Sequence, residues 1–272
     1  DTTGIKLFQL KTNQWWWPES KTLDISDLEI QASQQKNIEE VREIIRNEKI
    51  ELVISNTVNV FQGAFAAACE KVRHFYIIHE FPFGEFGYYK DLIPLIYDLS
   101  DKIFVVEGEL YHTLTNYFAT DKLIPFIPYT EVQERPLKNS TISRFVSIGG
   151  INERKNQLEL LEAYNHLNRK EIELVFIGGW DEQYKKLMDD YIQAHHLDHV
   201  TFVGFHSDPW SLVTDKDILV LPAKLETFSL VFVESVLNGV PAIISDNLGH
   251  LSSSKFLESG NLYPLGDGDL LS

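Results

Sequence analysis

Short continuous apolar segments alternate with helical patterns along most of this chain, and this alternation constrains the fold more than any other feature. Examples are residues 52–57 (LVISNT), 144–150 (RFVSIGG) and 217–223 (DILVLPA). Segments that are apolar at nearly every position are typical of strands buried on both faces, and intervening helices favour parallel strand pairing. The sequence therefore predicts an α/β fold with parallel sheets and helices on both faces.

The alternation predicts two groups of strands separated by a polar segment. The strands are residues 52–57, 74–80 and 102–108 in the first group, and residues 144–150, 172–179, 200–205, 217–223 and 241–246 in the second. Residues 125–144 contain three prolines and a polar run, which is typical of a boundary between domains. We therefore expect two Rossmann-like domains facing a cleft, an N-terminal domain of residues 1–139 and a C-terminal domain of residues 140–272.

Unusual residues follow every predicted strand of the second group. They are Gly149, Gly150, Gly178, Gly179, Gly204, Glu226, Asp246 and Asn247. A pair of glycines after one strand most often marks only a tight turn. Ligands of open parallel sheets bind beyond the carboxyl ends of the strands, so the recurrence after all five strands predicts a binding site at this edge.

Two cations, Arg154 and Lys155, lie at the predicted N-terminus of the helix after residues 144–150. The helix macrodipole disfavours positive charge at this end. One interpretation is that water solvates both charges. The other is that they hold an anion together with the helix amides, as proteins hold phosphates. Because both side chains extend over the same edge as the glycines, we favour a diphosphate ligand.

Glu234 lies in an apolar helical pattern that follows a loop containing Glu226. A buried charge without a partner costs about 3–5 kcal/mol, so Glu234 requires hydrogen-bond donors. A ribose would supply two hydroxyl groups, and Glu226 would contact hydroxyls beyond the phosphates. The alternative is a salt-bridged Glu234 and a solvated Glu226. The amides at the start of this helix lack intrahelical partners and can bind phosphate or sugar oxygens; they belong to Thr227, Phe228 and Ser229.

Residues 226–234 (ETFSLVFVE) resemble the E-x7-E element of the retaining glycosyltransferases of family 4, which have the GT-B fold. Flanking segments such as FVSIGGINERKNQLELLEAY and SGNLYPLGDGD are similar in the family's order, and the likeness covers residues 144–270 strongly. The segment from ELVISNT to YIIHE is similar more loosely. The resemblance implies transfer of a sugar from a nucleotide-diphosphate donor to an acceptor hydroxyl, with retained anomeric configuration and without a metal or other cofactor.

The resemblance also implies roles for individual residues. Lys155 and Arg154 would hold the diphosphate, Glu226 the sugar hydroxyls and Glu234 the ribose. His79 would contact the reacting sugar or the acceptor, or else it is a structural histidine at a strand end. The residues expected to bind the donor are Gly149, Gly150, Asn152, Arg154, Lys155, Gly178, Gly204, Phe205, Thr227, Phe228, Ser229 and Glu234, and those expected to take part in catalysis are Glu226, Lys155 and His79.

In the enzymes that the chain resembles, the departing phosphate oxygen accepts the acceptor's proton, so a dedicated general base is not required. The chain departs from their pattern at Gly150, where an arginine is common, and at Ser229, where a glycine is usual. The family's glycine-rich loop after its first strand and its final helices have no counterpart. We therefore expect either a portion of a longer protein or a divergent enzyme.

Composition limits the partners and the compartment. The formal net charge of −16 argues against nucleic acid or an anionic lipid surface as the main partner, because both require a basic surface. A glycan, a lipid-linked molecule or a protein remains open as the acceptor, as does peripheral membrane contact.

The single cysteine, Cys69, permits no intramolecular disulfide and is expected to pack within a helix. No apolar run of about 18 residues is present. We therefore expect a cytoplasmic location.

Two further aromatic segments favour packing or acceptor binding. Trp15, Trp16 and Trp17 are expected to pack against other protein rather than to stack on a sugar. Residues 79–89 (HEFPFGEFGYY) form a predicted loop on the acceptor side of the cleft. Two alternative functions stay open: a noncatalytic GT-B partner that binds a glycan or stabilises a transferase, which Gly150 favours, and a nucleotide-sugar epimerase.

Overall fold

The computed structural model describes residues 4–10, 26–133 and 136–268. The three consecutive tryptophans lie outside these ranges. The chain divides into two compact units, Asp1–Ile127 and Pro128–Ser272. The predicted boundary after residue 139 stays a prediction of where the two domains separate.

The first unit contains a parallel sheet of four strands in the order β1-β2-β3-β4. Its elements are α1 (Asp27–Glu48), β1 (Leu52–Ser55), α2 (Gln62–Glu70), β2 (Arg73–Ile78), a 3₁₀ helix (Gly84–Leu92), α3 (Ile93–Asp98), β3 (Lys102–Val106), α4 (Glu109–Leu114) and β4 (Leu123–Phe126). Helix α1 begins at a capping box in which Ser26 and Glu29 satisfy each other's backbone amides. The fully buried alanines of α2 allow it to pack closely against α1.

Three expectations for the first unit were wrong. Strand β4 (Leu123–Phe126) extends into the segment assigned to the linker, residues 125–144. Pro125 is tolerated because β4 is an edge strand, where a missing N–H breaks no ladder. Residues 84–89 are helical rather than loop, as part of the 3₁₀ helix. Cys69 is exposed rather than packed, since it lies on the outer face of α2.

The second unit contains a parallel sheet of six strands in the order β10-β9-β8-β5-β6-β7. Its elements are β5 (Arg144–Ile148), α5 (Gln157–Leu167), β6 (Glu173–Ile177), α6 (Glu182–His195), β7 (Val200–Gly204), a 3₁₀ helix (Pro209–Leu212), β8 (Asp217–Leu221), α7 (Leu230–Leu237), β9 (Ala242–Ser245), α8 (Leu248–Leu257) and β10 (Asn261–Tyr263). All five strands predicted for this half are present. The sequence did not predict α8 or β10.

Side chains alternate between the two faces of this sheet, and each face carries its own core. On one face Val146, Ile148 and Leu219 pack with Phe232 of α7. On the other, Phe176 and Val220 pack with residues of α5 and α6, among them Leu161 and Met188. Helices therefore cover both faces, which confirms the predicted fold class.

The strand order reverses at one place in the second sheet. From β5 the chain proceeds to β6 and β7 in one direction, and β8, β9 and β10 then follow on the other side of β5. The crossovers after β5 and β8 consequently diverge to opposite sides of the strands. This topology leaves a crevice at the carboxyl ends of β5 and β8, where open α/β sheets bind their ligands.

An ion pair joins β5 and β8 at the opposite end of the same strands. Arg144 donates to both carboxylate oxygens of Asp217, from Nε at 2.8 Å and from Nη2 at 2.6 Å. Thr214 donates to the same carboxylate through its backbone N–H and its hydroxyl, each at 2.8 Å. The Asp217 side chain is fully buried, so these donors compensate its lost hydration.

Within the ranges described above, no helix has the length and apolar character needed to cross a membrane. The same residues contain no group of three or more histidine, cysteine, aspartate or glutamate side chains arranged to hold a metal ion. Metal independence stays a prediction.

Candidate functional site

The loop between β5 and α5 places two cations beside the crevice. Asn152 Oδ1 accepts the backbone N–H of Lys155 at 3.0 Å, which closes a turn after the strand. Asn156 then adopts a left-handed conformation, with φ of 59°, and α5 begins at Gln157. Arg154 and Lys155 therefore lie directly before the helix, as the sequence predicted.

The loop between β8 and α7 lies against the first loop through hydrogen bonds to main-chain carbonyls. Arg154 Nη1 donates to the carbonyl of Leu225 at 3.1 Å, and the amide of Lys224 donates to the carbonyl of Arg154 at 2.8 Å. These bonds fix the distance between the cations and Glu226. The two loops thus form one structural unit at the crevice.

Glu226 forms an ion pair with Lys155 in this crevice. The Lys155 ammonium contacts Glu226 Oε1, and Arg154 Nη1 lies 3.6 Å from the same oxygen. The side chains of Glu226 and Lys155 are 12% and 23% exposed, so water screens the pair only partly. Of the two earlier alternatives for Glu226, solvation alone does not describe its environment. The carboxylate and both cations converge on one point.

Helix α8 packs directly against the backbone of the loop that carries Glu226. A Cβ atom added to Gly249 would lie 2.2 Å from the carbonyl oxygen of Glu226 and 2.7 Å from the carbonyl carbon of Thr227. Only a glycine permits this approach of helix to backbone. Asn247 caps α8 by accepting from the amides of Gly249 and His250, and its Nδ2 donates to the carbonyl of Ala223 at 2.9 Å. The loop conformation therefore depends on α8, a helix that the sequence did not predict.

Ser229 is the N-cap of α7 and has a left-handed backbone, with φ of 56°. This conformation favours glycine, the residue that the resemblance to family 4 leads us to expect at this position. The amides of Thr227, Phe228 and Ser229 precede the helix, and the amides of Phe232 and Val233 already bond to the carbonyl of Ser229.

Glu234, on α7, has two protein partners. Thr130 Oγ1 donates to Oε1 at 2.6 Å, and Trp210 Nε1 donates to Oε2 at 2.7 Å. The sequence predicted that this carboxylate needs donors but indicated neither Thr130 nor Trp210. The indole of Trp210 is buried, and it lies 24 positions before Glu234, so no local pattern in the sequence indicates this pair.

The ends of β6 and β7 complete the edge. A Cβ atom on Gly178 would lie 1.8 Å from the carbonyl oxygen of Gly149, so these two turns pack backbone to backbone. Gly204 lies beside the Trp180 ring, and the adjacent Phe205 is 82% exposed. An exposed aromatic ring at this edge can stack on a planar ligand.

His79 belongs to the first unit, directly after β2. Its Nε2 lies 2.8 Å from Asn56 Oδ1, and its ring makes an edge contact with Phe126. The neighbouring Glu80 is buried and accepts from the Thr57 hydroxyl and from the amide of Val58 at 3.4 Å. Both residues lie at the carboxyl edge of their own sheet.

The structure thus brings together the predicted residues of the second unit at one sheet edge. Gly149, Gly150, Asn152, Arg154 and Lys155 follow β5, and Gly178, Gly204 and Phe205 follow β6 and β7. Glu226 to Ser229 follow β8. Their assignment to a ligand stays a prediction. Asp246 bonds the amide of Leu265 at 2.9 Å and so stabilises a turn at the same edge.

Comparison with known proteins identifies a family. The model of the family described as "Glycosyl transferases group 1" matches residues 129–271. A curated protein of Bacillus subtilis (strain 168), a glycosyltransferase EpsD by name, is 29% identical over 154 residues. That match covers 54% of this chain but only 40% of EpsD, so the chain spans less than half of its curated relative.

Solved structures show the same fold at low sequence identity. Anabaena Alr3699/HepE in complex with UDP-glucose superposes with a TM-score of 0.69 and 15% identity, over 86% of this chain and 70% of that protein. Sucrose-phosphate synthase of Thermosynechococcus elongatus gives 0.68 and 17%, over 91% of this chain and 69% of that protein.

Proposed function

The chain belongs to the glycosyl transferases group 1 family, and from this membership we propose that it transfers a sugar from a nucleotide-diphosphate sugar to an acceptor hydroxyl. The observation that carries the proposal is the convergence of Lys155, Arg154 and Glu226 at the crevice between β5 and β8. Cations suit the diphosphate, and a carboxylate suits the hydroxyl groups of a sugar. The three side chains therefore match the chemistry of the bond that such a reaction breaks.

In the proposed complex Lys155 and Arg154 bind the diphosphate, and Glu226 accepts hydrogen bonds from the donor sugar. Binding requires Lys155 to exchange its present carboxylate partner for phosphate oxygens. Glu226 then gains hydroxyl donors in place of the ammonium. The amides of Thr227 to Ser229 are near enough to the start of α7 to contribute donors to the same anion.

Glu234 is proposed to bind the ribose. Each of its oxygens accepts one hydrogen bond, from Thr130 or Trp210, and a carboxylate oxygen has a second lone pair available. These two bonds orient the carboxylate, so little conformational entropy would be lost when the ribose hydroxyls bind. Gly204 and the exposed Phe205 would border the base.

We further propose family 4, a hexosyltransferase activity, retention of anomeric configuration and independence of metal. The departing phosphate oxygen would accept the proton of the acceptor hydroxyl, and the two cations would stabilise the charge that grows on the diphosphate. The first unit would bind the acceptor, with His79 among its contacts. The acceptor class (glycan, lipid-linked molecule or protein) and the cytoplasmic location remain predictions.

The ligand in a structural neighbour supports the donor class. The Anabaena protein was crystallised with UDP-glucose, and its fold matches over most of this chain. We therefore take UDP-glucose as the first donor to test.

Calorimetry with a panel of nucleotide sugars, followed by turnover of the donor that binds, tests the proposal. Lys155→Ala and Glu226→Ala should each reduce turnover by about one to three orders of magnitude, the range for lost transition-state contacts. Lys155→Ala should also weaken UDP binding, whereas Glu226→Ala should not, because it removes the carboxylate that competes for Lys155. Arg169→Ala and Glu171→Ala, which remove an exposed ion pair elsewhere in the same unit, are the matched controls. Unchanged turnover in both site variants would refute the assignment.

Gly150 is the observation that favours a noncatalytic glycan-binding or transferase-stabilising partner, because the resembling enzymes commonly have an arginine there. An absence of binding by any donor at about millimolar concentration, which corresponds to roughly −4 kcal/mol, would favour that alternative. An epimerase would convert the donor sugar without any acceptor. Analysis of the products formed from donor alone separates this activity from transfer.

A further inference from the structure

A small cavity lies inside the second unit, beneath the loop that carries Glu226. Its walls include Ser147 of β5, Lys155, Glu226 and His250 of α8. It has room for about one water molecule. The cavity shares Lys155, Glu226 and Ser229 with the edge at which the donor is proposed to bind.

Three buried polar atoms belong to residues in the wall of this cavity. They are Ser147 Oγ, Glu226 Oε1 and His250 Nε2, and none makes a hydrogen bond to any residue that the structure describes. The Lys155 ammonium is at ion-pair distance from Glu226 Oε1 but outside hydrogen-bond geometry. Leaving Ser147 Oγ or His250 Nε2 unsatisfied costs about 1–3 kcal/mol for each atom. Both lie in one wall with the Glu226 carboxylate, which has a further lone pair beside its ion pair, so the three atoms indicate a shared partner.

The other side of the His250 ring is already fixed. Nδ1 lies 2.9 Å from the carbonyl oxygen of Ser245 and 2.9 Å from Nδ2 of Asn247. The side chain is fully buried, so the ring has no alternative position in which Nε2 reaches bulk water. Burial lowers the pKa of His250 to about 4, so the imidazole is neutral near pH 7.

Nδ1 has an acceptor and a donor beside it, so either neutral tautomer of His250 is compatible with these contacts. Nε2 is accordingly either a donor or an acceptor. A water molecule can both donate and accept, and it can reach several atoms at once. The Glu226 carboxylate would repel an anion at this place, and the Lys155 ammonium beside the same carboxylate oxygen would repel a cation.

We propose that a buried water molecule joins His250 Nε2, Ser147 Oγ and Glu226 Oε1, and that His250 acts through it as a positioning residue for Glu226. The inference rests on the proposed function, in which Glu226 binds the donor sugar. The water holds the carboxylate in the orientation that the sugar hydroxyls require. The diphosphate does not use this contact, because it binds Lys155 and Arg154.

Two substitutions of the same histidine separate positioning from general stability. In His250→Asn the side-chain amide can keep the hydrogen bonds that Nδ1 makes, but no polar atom remains at the position of Nε2 to bind the water. In His250→Gln the longer amide can place a polar atom near Nε2. We expect kcat/KM for UDP-glucose, or for the donor that the panel identifies, to fall about tenfold in the first variant, corresponding to about 1.4 kcal/mol. The second variant should remain within about threefold of wild type.

The dissociation constant for UDP distinguishes positioning of Glu226 from a general disturbance of the site, because a general disturbance would weaken UDP binding as well. It should stay within about twofold of wild type in both variants, because UDP lacks the sugar. Equal losses for UDP and for UDP-glucose would overturn the inference, as would wild-type kcat/KM in His250→Asn. Ser147→Ala, which removes only a hydroxyl, repeats the test if His250→Asn fails to fold. It should lower kcat/KM about threefold, and an unchanged value would again contradict us.

A crystal structure of the wild-type chain, at a resolution that shows ordered water, tests the site independently of activity. Density within hydrogen-bond distance of His250 Nε2 and Ser147 Oγ supports the inference even if no nucleotide sugar is turned over. An empty cavity overturns it even if the chain proves to be a glycosyltransferase.

Discussion

Two buried histidines should make the protein sensitive to mild acid. His74 of the first unit and His250 of the second are each almost fully buried. Loss of hydration lowers the pKa of both imidazoles from 6.5 to about 4. For His74 the carbonyl of Leu99 and the carboxylate of Asp101 oppose this effect. For His250 the carbonyl of Ser245 and then Glu226 oppose it, and Lys155 adds to it.

The sign and the size of the effect follow from proton linkage. Between pH 6.5 and 4 the unfolded chain binds a proton at each histidine that the folded chain does not bind. The contribution of each neutral histidine to the free energy of unfolding is therefore fully present above pH 6.5. It is lost as the pH falls from 6.5 to 4, by about 1.4 kcal/mol per pH unit and per histidine. Between pH 7 and 5 each unit should lose about 2 kcal/mol from this source.

Urea denaturation at pH 7 and at pH 5, followed by circular dichroism and tryptophan fluorescence, measures this loss. His74→Gln and His250→Gln should each abolish about 2 kcal/mol of the pH dependence in their own unit, whatever their cost at pH 7. His112→Gln and His166→Gln remove exposed imidazoles from the same two units and are the controls. Buried-histidine variants whose pH dependence equals that of wild type would refute the reasoning.

Three further substitutions test the architecture around the candidate site. Arg144→Met should destabilise the second unit by about 3–5 kcal/mol in urea denaturation, because it leaves the buried Asp217 carboxylate without its cation. Gly249→Ala should lower kcat/KM at least tenfold by displacing the Glu226 backbone, whereas Gly268→Ala, where an added Cβ meets nothing within 4 Å, should not. Ser229→Gly should raise the unfolding free energy of the second unit by about 1 kcal/mol, since it relieves a left-handed serine; an unchanged or lower value would contradict this explanation.

Five strands of the second unit, β5 to β9, could be predicted because their signal is local. Each is a short run of residues that are apolar on both faces, and burial between two helical layers requires such a run. Strand β4 escaped prediction because Pro125 is ordinarily evidence against a strand, and only its edge position makes it acceptable. Helix α8 escaped because Ser252, Ser253 and Ser254 are typical of a loop.

The edge of the sheet at which the site lies could also be predicted, but the contacts within it could not. Every strand of a parallel sheet ends at the same edge, so residues that follow strands must gather there. The pairing of Lys155 with Glu226 depends on β8 lying beside β5, and the strand order is a property of the whole chain. The partners of Glu234 illustrate the same limit, since Thr130 lies 104 positions away in sequence.

The geometry at the crevice bears on how an acidic protein would bind the anionic donor that we propose. Glu226 neutralises the charge of Lys155 in the free protein, so the site carries little excess charge. Neither of these two largely buried side chains is left without an ionic partner. A diphosphate that displaces Glu226 from Lys155 replaces one anionic partner by another. The released carboxylate remains beside the diphosphate and repels it unless sugar hydroxyl groups bind and satisfy it. If the proposed donor site is correct, the arrangement would favour the intact nucleotide sugar over the free nucleotide, because the free nucleotide supplies no sugar hydroxyl to Glu226. The water site at His250 would strengthen this preference, since it holds the carboxylate in place when Lys155 turns to the phosphates.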